Sequence, residues 1–461
     1  MDKKNDPGAV NDIPDEIKHG KFTEKEKGRI LQKCMVAAAS VLLLLGAYII
    51  ILITGTGNQG TGAALDVIYP KAYAFDDYDT RIKVLEQNPV DDSFLEALDD
   101  FSYNTGALVL ADKGKNISYS PLSLYYALAV AATGAGGDTR DQLLAVLGVP
   151  DPQALAEQCG NLYRLIYRDN EIGKLKIANS VWLDNDMDGD PVSFKDAFLK
   201  GAAENFYASC HSVDFSDERT GKAMARWVSD NTNGKLSPEI DTDPDQILAI
   251  LNTVYYCDQW IDRFNRDQTA EDTFYLSNGG EVKVDFMNKT FPSSVFSKGE
   301  GFTRSSLALK NAGRMSFILP DDGISPYELL ASPERMREVF EGGETLSGEV
   351  VWKIPKFSFG SRLELTDVLK NLGVISAFLP DADFSGITDH MAFITDVRQE
   401  THIAIDEDGV EASAFTRIDY AGSALPESRA DMILDRPFIY YITGPDGSLL
   451  FVGVCENPAE R

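Results

Sequence analysis

Apolar positions along the chain fall into three kinds of run. The first is continuous. Cys34 to Thr54 (CMVAAASVLLLLGAYIIILIT) carries no charge over 21 positions, and about 20 such residues span the hydrocarbon of a bilayer. The second repeats every three or four residues. Phe94, Leu95, Leu98 and Phe101 share one face of a helix predicted over Asp92 to Ala107. Pro121 to Ala132 (PLSLYYALAVAA) predicts a second, more fully apolar helix, stopped by Gly134, Gly136 and Gly137. Asp138 and Thr139 are placed to cap a third over Gln142 to Leu147. The third kind is short and rich in β-branched and aromatic residues, which reads as strand. It covers Lys176 to Leu183, Gln246 to Tyr256, Met315 to Leu319, Val350 to Phe359, Thr401 to Asp406, Phe438 to Thr443 and Leu449 to Val454. Helices first and strands later, with short turns such as Pro445-Asp446-Gly447, argue for an α+β fold.

The same pattern divides the chain. Residues 1–33 form a polar tail, 34–54 a transmembrane helix, 55–91 a linker or stalk opening with GTGNQGTG, and 92–461 one large domain. Lys21, Lys25, Lys27, Arg29 and Lys33 precede the apolar run, and no charge follows it before Asp66. The positive-inside rule then puts the N-terminus in the cytoplasm and the large domain outside the cell. A cleaved signal peptide has a shorter apolar core, about 7–15 residues, so an uncleaved single-pass anchor is the expectation.

Charge narrows the partners. With 72 acidic and 43 basic residues the chain carries a formal −29. That works against a nucleic-acid or other polyanion site, which needs clustered Lys and Arg. Five cysteines, none in a C-x-x-C pair, are too few for a disulfide framework. Cys159, Cys210, Cys257 and Cys455 read as buried thiols, with one structural disulfide still open.

Chemistry-bearing motifs are scarce. The four histidines, His19, His211, His390 and His402, include no pair at i, i+4, so a zincin site is missing. There is no G-x-S-x-G elbow and no Walker A. Gly134 to Gly137 lacks the Lys of a phosphate loop. His390 and His402 have no nominated nucleophile and read as satisfied histidines. No enzyme, cofactor or metal site is expected.

One stretch departs from the pattern. Thr401 to Asp406 runs into the acidic turn Glu407-Asp408-Gly409, and then about 28 residues to Asp435 carry no regular pattern. Loops that long inside a compact domain are usually functional or disordered. Taken at period two, Val410, Ala412, Ala414 and Thr416 form a face of small residues, while Glu411, Ser413 and Phe415 form the other. A strand with one small face can slide between two others. An ordinary exposed loop is the competing reading.

Taken in order, the motifs resemble those of serpins. Asn116, Ser118 through Gly134, Gly137-Asp138-Thr139 and Gln142-Leu143 are similar to the family's N-P-x-S-P-x-S and G-A-x-G-x-T-x-x-Q-L pattern. Trp227-Val228, Thr232 and Gly234-Lys235 resemble its W-V-x-x-x-T-x-G-K. Leu251 to Tyr256 with Trp260 and Phe264, Pro355-Lys356-Phe357, Asp383 to Ile387, and the ending Arg436-Pro437-Phe438…Asn457-Pro458 follow suit. The resemblance covers nearly all of 92–461. It implies a three-sheet, roughly nine-helix fold with an exposed reactive-centre loop, here a membrane-anchored, bacterial-type member acting as a monomeric suicide inhibitor of an extracellular serine protease. A protease would cut the loop, and the cut loop would insert into the large sheet.

The same resemblance assigns residues. Glu407, Gly409, Glu411, Ala412 and Ala414 match the hinge E-x-G-T-E-A-x-A. Val410 replaces its Thr, Thr416 fits, and Phe415 departs from the alanine run in an outward position. Ser120, Pro121, Ser123, Asn252 and Gln399 match the shutter under the sheet, and Trp260 the breach where insertion begins. Family spacing from Gly409 puts the reactive bond at Ser423-Ala424, with Ala421 and Leu425 as neighbouring candidates. Counting back from Pro437 lands near Pro426. Small residues there suit an elastase-like or subtilisin-like protease, and Arg429 lies too far along for a trypsin-like one. A non-inhibitory serpin and an inhibitor of papain-like cysteine proteases are the alternatives.

Overall fold

The computed structural model describes residues 62–65, 67–111, 114–395, 397–411 and 428–460. The expected tail 1–33, the expected span 34–54 and the loop residues 412–427 lie outside them. Among the described residues no helix is long and apolar enough to cross a membrane, and these residues fold into ten α-helices and three sheets of eight, nine and two strands.

The large sheet positions the site. Its strands are β1 (Gly62–Leu65), β2 (Lys174–Asp184), β3 (Ala208–Val213), β4 (Leu248–Gln259), β5 (Phe357–Glu364), β6 (Arg398–Ile405) and β7 (Gly409–Val410), with Arg168–Asp169 paired to β2. Across the sheet they run β1, β3, β2, β4, β7, β6, β5. Helix Pro121–Gly134 lies in the core with every residue but Thr133 buried. A helix apolar on all sides has to be enclosed. Pro121 opens it at the first helical position, and Ser120 caps it by accepting from Ser123 N. Helix Glu218–Asn231 packs on a second, smaller core of Trp182, Val213, Phe215, Met224 and Ala249.

Several expectations change. Val350 to Phe359, read as one strand, is two. Glu344–Pro355 belongs to the nine-stranded sheet and Phe357–Glu364 to the large one. Pro355 cannot donate to a ladder, and Lys356 N instead donates to Asp285 O at the crossing. Residues 55–91, read as linker or stalk, are partly built into the domain. Gly62–Leu65 pairs antiparallel with β3, the Tyr69 ring stacks on Tyr167 and Tyr207, and Tyr78–Gln87 is a helix. The GTGNQGTG composition conceals that its last residue, Gly62, and the next three pair with the edge of β3. Asp138 and Thr139 do not cap. Gly136 stands at the N-cap, and Thr139 accepts from Asp383 N. The patternless stretch ends early, because Arg429–Ile433 is a strand parallel to Glu344–Pro355. All four described cysteines are free, three of them buried.

Candidate functional site

The centre of the large sheet is split. β4 and β6 run parallel, yet among the described residues they pair only at Asn252 and Gln399, with an isolated bridge ahead of β6 from Leu248 to Ile394. Above that crossing no ladder joins Thr253–Cys257 to Glu400–Ala404. At the top of the gap β7 is seated between them, antiparallel to both. Gly409 stands opposite Gln259, and Val410 opposite Asp258 and Ile405. Val410 is fully buried. A cavity of about 480 Å³ runs along the outer side of the split, between Met224 and Val228 of the covering helix, Ala249 and Leu251 of β4, and Arg398 and Glu400 of β6.

The turn that delivers β7 is fixed from several sides. Asp406 Oδ1 accepts from the N–H groups of Asp408 and Gly409, a local bond that favours turn over strand. Trp260, 1% exposed, donates its ring N–H to Asp406 O at 2.9 Å and its backbone N–H to Asp408 O. Arg263 and Arg266 hold the Asp408 carboxylate at 3.3 and 2.6 Å. Glu407 is buried, accepts from Thr269 Oγ1 at 2.8 Å and pairs with Lys356 at 3.1 Å. Burial pushes its carboxyl up, but hydrogen bonds from its own backbone, Thr269 and Lys356 outweigh that and hold it below the ordinary range. Beside the turn, Asp258 is 1% exposed and accepts from Gln259 N, Asn311 N and Asn311 Nδ2. Burial still raises its carboxyl to about 6.

Under the crossing lies a polar cluster. Gln399 Oε1 accepts from Ser120 N, and its Nε2 donates to Ser120 O, at 2.8 and 2.9 Å. Asn252 Nδ2 donates to Asn179 Oδ1, and Asn179 Nδ2 to Phe206 O. Asn252 Oδ1, Thr253 Oγ1 and Ser123 Oγ are buried without a protein partner.

The structure therefore brings Ser120, Pro121, Ser123, Asn252 and Gln399 together beneath the sheet. It sets Trp260, Glu407, Gly409, Val410 and Glu411 together at the top of the gap. Ala412, Ala414, Thr416, Ser423 and Ala424 lie outside the described residues. Arg429 is in a strand, paired with Glu349 and Asp431. Sequence reasoning missed Asp258 with Asn311, and it missed His402 and Lys235, which both approach Glu411. No periodic signal links residues so far apart in the chain.

The model of the Serpin (serine protease inhibitor) family matches residues 96–458. The chain belongs to the serpin family. It is 30% identical over 366 residues to Serpin-Z1C of Triticum aestivum, covering 74% of this chain and 90% of that one. Among solved structures it resembles the thermophilic serpin Tengpin in its native state, at 25% identity and a TM-score of 0.73, over 86% of this chain and 100% of that chain. A thyroxine-binding globulin complexed with thyroxine shares the fold at 22% identity and a TM-score of 0.69. Serpins are protease inhibitors and not enzymes, and they generally form complexes with target proteases.

Proposed function

We propose that this serpin is a suicide-substrate inhibitor of serine proteases with shallow specificity pockets, elastase-like or subtilisin-like, acting from the outer face of a membrane through an anchor at 34–54. The observation that carries the reading is the split sheet with its first two hinge residues already seated. Continuing the register of β7, residues 411–415 fall opposite Cys257 to Thr253 on β4 and Ala404 to Glu400 on β6. Thr416 then falls at Asn252 and Gln399, where the two strands meet. The small face Val410, Ala412, Ala414, Thr416 points inward in that register, which suits the core below.

The chemistry is that of an acyl-enzyme caught before water reaches it. The protease hydroxyl attacks the Ser423 carbonyl carbon. The Ser423–Ala424 bond breaks, and the amine leaves on the C-terminal fragment with the proton. The ester stays on Ser423. Freed from its far end, the hinge side of the loop fills the gap between β4 and β6, and the tethered protease is carried with it.

The test uses the full chain mixed with elastase, subtilisin, trypsin and a papain-like enzyme, followed by denaturing gel and mass spectrometry. A covalent band at the summed mass with elastase or subtilisin is expected, and the released peptide should begin at Ala424. Complete cleavage with no covalent band would refute inhibition. A durable trypsin complex at Arg429, or a complex with the papain-like enzyme alone, would refute the protease class. The anchored placement fails if the serpin domain is found only in the cytosol.

A further inference from the structure

Immediately after the two seated residues the chain turns where a strand would continue. Glu411 has φ of 51°, in the left-handed region that side-chain-bearing residues rarely adopt, whereas an extended strand needs φ near −140°. Its backbone N–H still reaches Ala404 O at 3.1 Å, so the turn begins inside the sheet register.

The carboxylate of Glu411 is only 3% exposed and is gripped from two elements. One oxygen is hydrogen-bonded to His402 Nδ1 on β6. The other lies 3.6 Å from Lys235 Nζ and makes no hydrogen bond among the described residues. His402 is itself placed by β5, with Nε2 3.2 Å from Ser358 Oγ. Lys235 sits in the turn after helix Glu218–Asn231, where its N–H donates to Thr232 O. The neighbouring Asn233 Nδ2 reaches Tyr255 Oη on β4 at 3.4 Å. Tyr255 and Cys257 of β4 also face this carboxylate. Burial chiefly raises both their acid groups, and the Glu411 charge adds to it. The grip therefore spans the gap, with His402 on one wall and the Lys235 turn leaning on the other.

We propose that Glu411, His402 and Lys235 form a latch that stops the intact loop from entering the gap beyond Val410, and so sets how long the protein stays in its uninserted, reactive form. A glutamate in the left-handed region is disfavoured by itself. It persists where surrounding contacts hold it, and here those contacts are the two cationic or hydrogen-donating partners of its carboxylate. Without them the backbone at 411 relaxes to the extended form, which is the first step of further insertion. The latch deepens the insertion reading above and rests on it. Glu411 acts as a positioning residue and touches no reacting atom.

The test uses the intact, full chain with no protease present. The parent, Glu411→Ala, His402→Ala, Glu411→Gln and the double variant Glu411→Ala/His402→Ala are incubated at one elevated temperature. The fraction converted to a urea-resistant, more heat-stable form is followed on native gels. Glu411→Ala should convert about tenfold faster than the parent, as expected for loss of one charge-assisted hydrogen bond. Glu411→Gln, which keeps a bond to His402 but not the charge facing Lys235, should fall between. The double variant should convert no faster than Glu411→Ala, because both changes remove the same contact. Rates within about twofold of the parent for Glu411→Ala, or an additive double variant, overturn the latch. The parent cut in its loop is run alongside. If it gains stability while the variants behave as the parent, only the latch fails. If it gains none, the insertion reading falls and takes the latch with it.

Discussion

At the scale of single residues, the shutter cluster depends on one amide. Gln399 satisfies both backbone groups of Ser120, the residue that caps the buried helix Pro121–Gly134. Ser120 is fully buried, so no solvent replaces those bonds. Gln399→Met keeps the volume and removes both; Ser120 O still accepts from Leu124 N, so the expected cost is about 1–3 kcal/mol of native stability, the penalty of leaving the buried Ser120 N–H unmade. Urea unfolding of the variant against the parent measures it, and a loss under about 1 kcal/mol would show that the helix cap does not depend on this side chain.

At the scale of elements, β7 exists because its first residue has no side chain. A Cβ on Gly409 would come within 2.1 Å of Asp258 O and 2.8 Å of Gln259 Cα, both backbone atoms of β4. Backbone cannot swing aside, so Gly409→Ala should expel β7 and Val410 from the gap. The expected result is faster hydrogen exchange at the backbone amides of Trp260 and Glu411, which donate to Asp408 O and Ala404 O on the two sides of this segment, with a stability loss of about 1–3 kcal/mol. Unchanged exchange would show that β4 can yield. This element also shows how far the sequence could be read. The acidic turn, the hinge motif and the small inward face stand in consecutive residues, and Phe438–Thr443 matches its apolar run residue for residue. Glu281–Gly299, a single strand of 19 residues, was not legible, because charged residues alternate along it and Pro292 interrupts it; its register breaks between Phe291 and Ser294. The grip on Glu411 was equally hidden. His402 carried no local signal, and its role arises only when β6 and the Lys235 turn flank the same gap. Local patterns are set by neighbours a few positions apart, whereas the split and its fittings are set by pairings more than a hundred residues apart, such as Asn252 with Gln399.

At the scale of the whole molecule, a half-buried histidine and a buried aspartate on the large sheet pull acid stability in opposite directions. His211 on β3 lies against Trp182, ring centroids 4.0 Å apart, with Nε2 2.9 Å from Ser209 Oγ. Burial lowers its pKa to about 4. The unfolded chain, with an ordinary histidine near 6.5, binds the proton more readily, so His211 supports the fold above about pH 6.5 and withdraws about 3 kcal/mol as pH falls to 4. Asp258, raised by burial to about 6, does the reverse. The native carboxyl takes up a proton before the unfolded one does, so its contribution grows as pH falls from about 6 to about 4 and is lost again as pH rises through 6. The two contributions nearly offset one another between pH 6 and 4. His211→Phe preserves the ring stack and removes the titration. Relative to the parent it should gain about 3 kcal/mol of stability between pH 7 and pH 4. Asp258→Asn, normalised to its own value at pH 7, should fall behind the parent over the same interval. Melting temperatures of the three proteins at half-unit pH steps test both. A parent-minus-variant difference that is flat with pH for His211→Phe would mean that the ring is protonated, or solvated, within the fold.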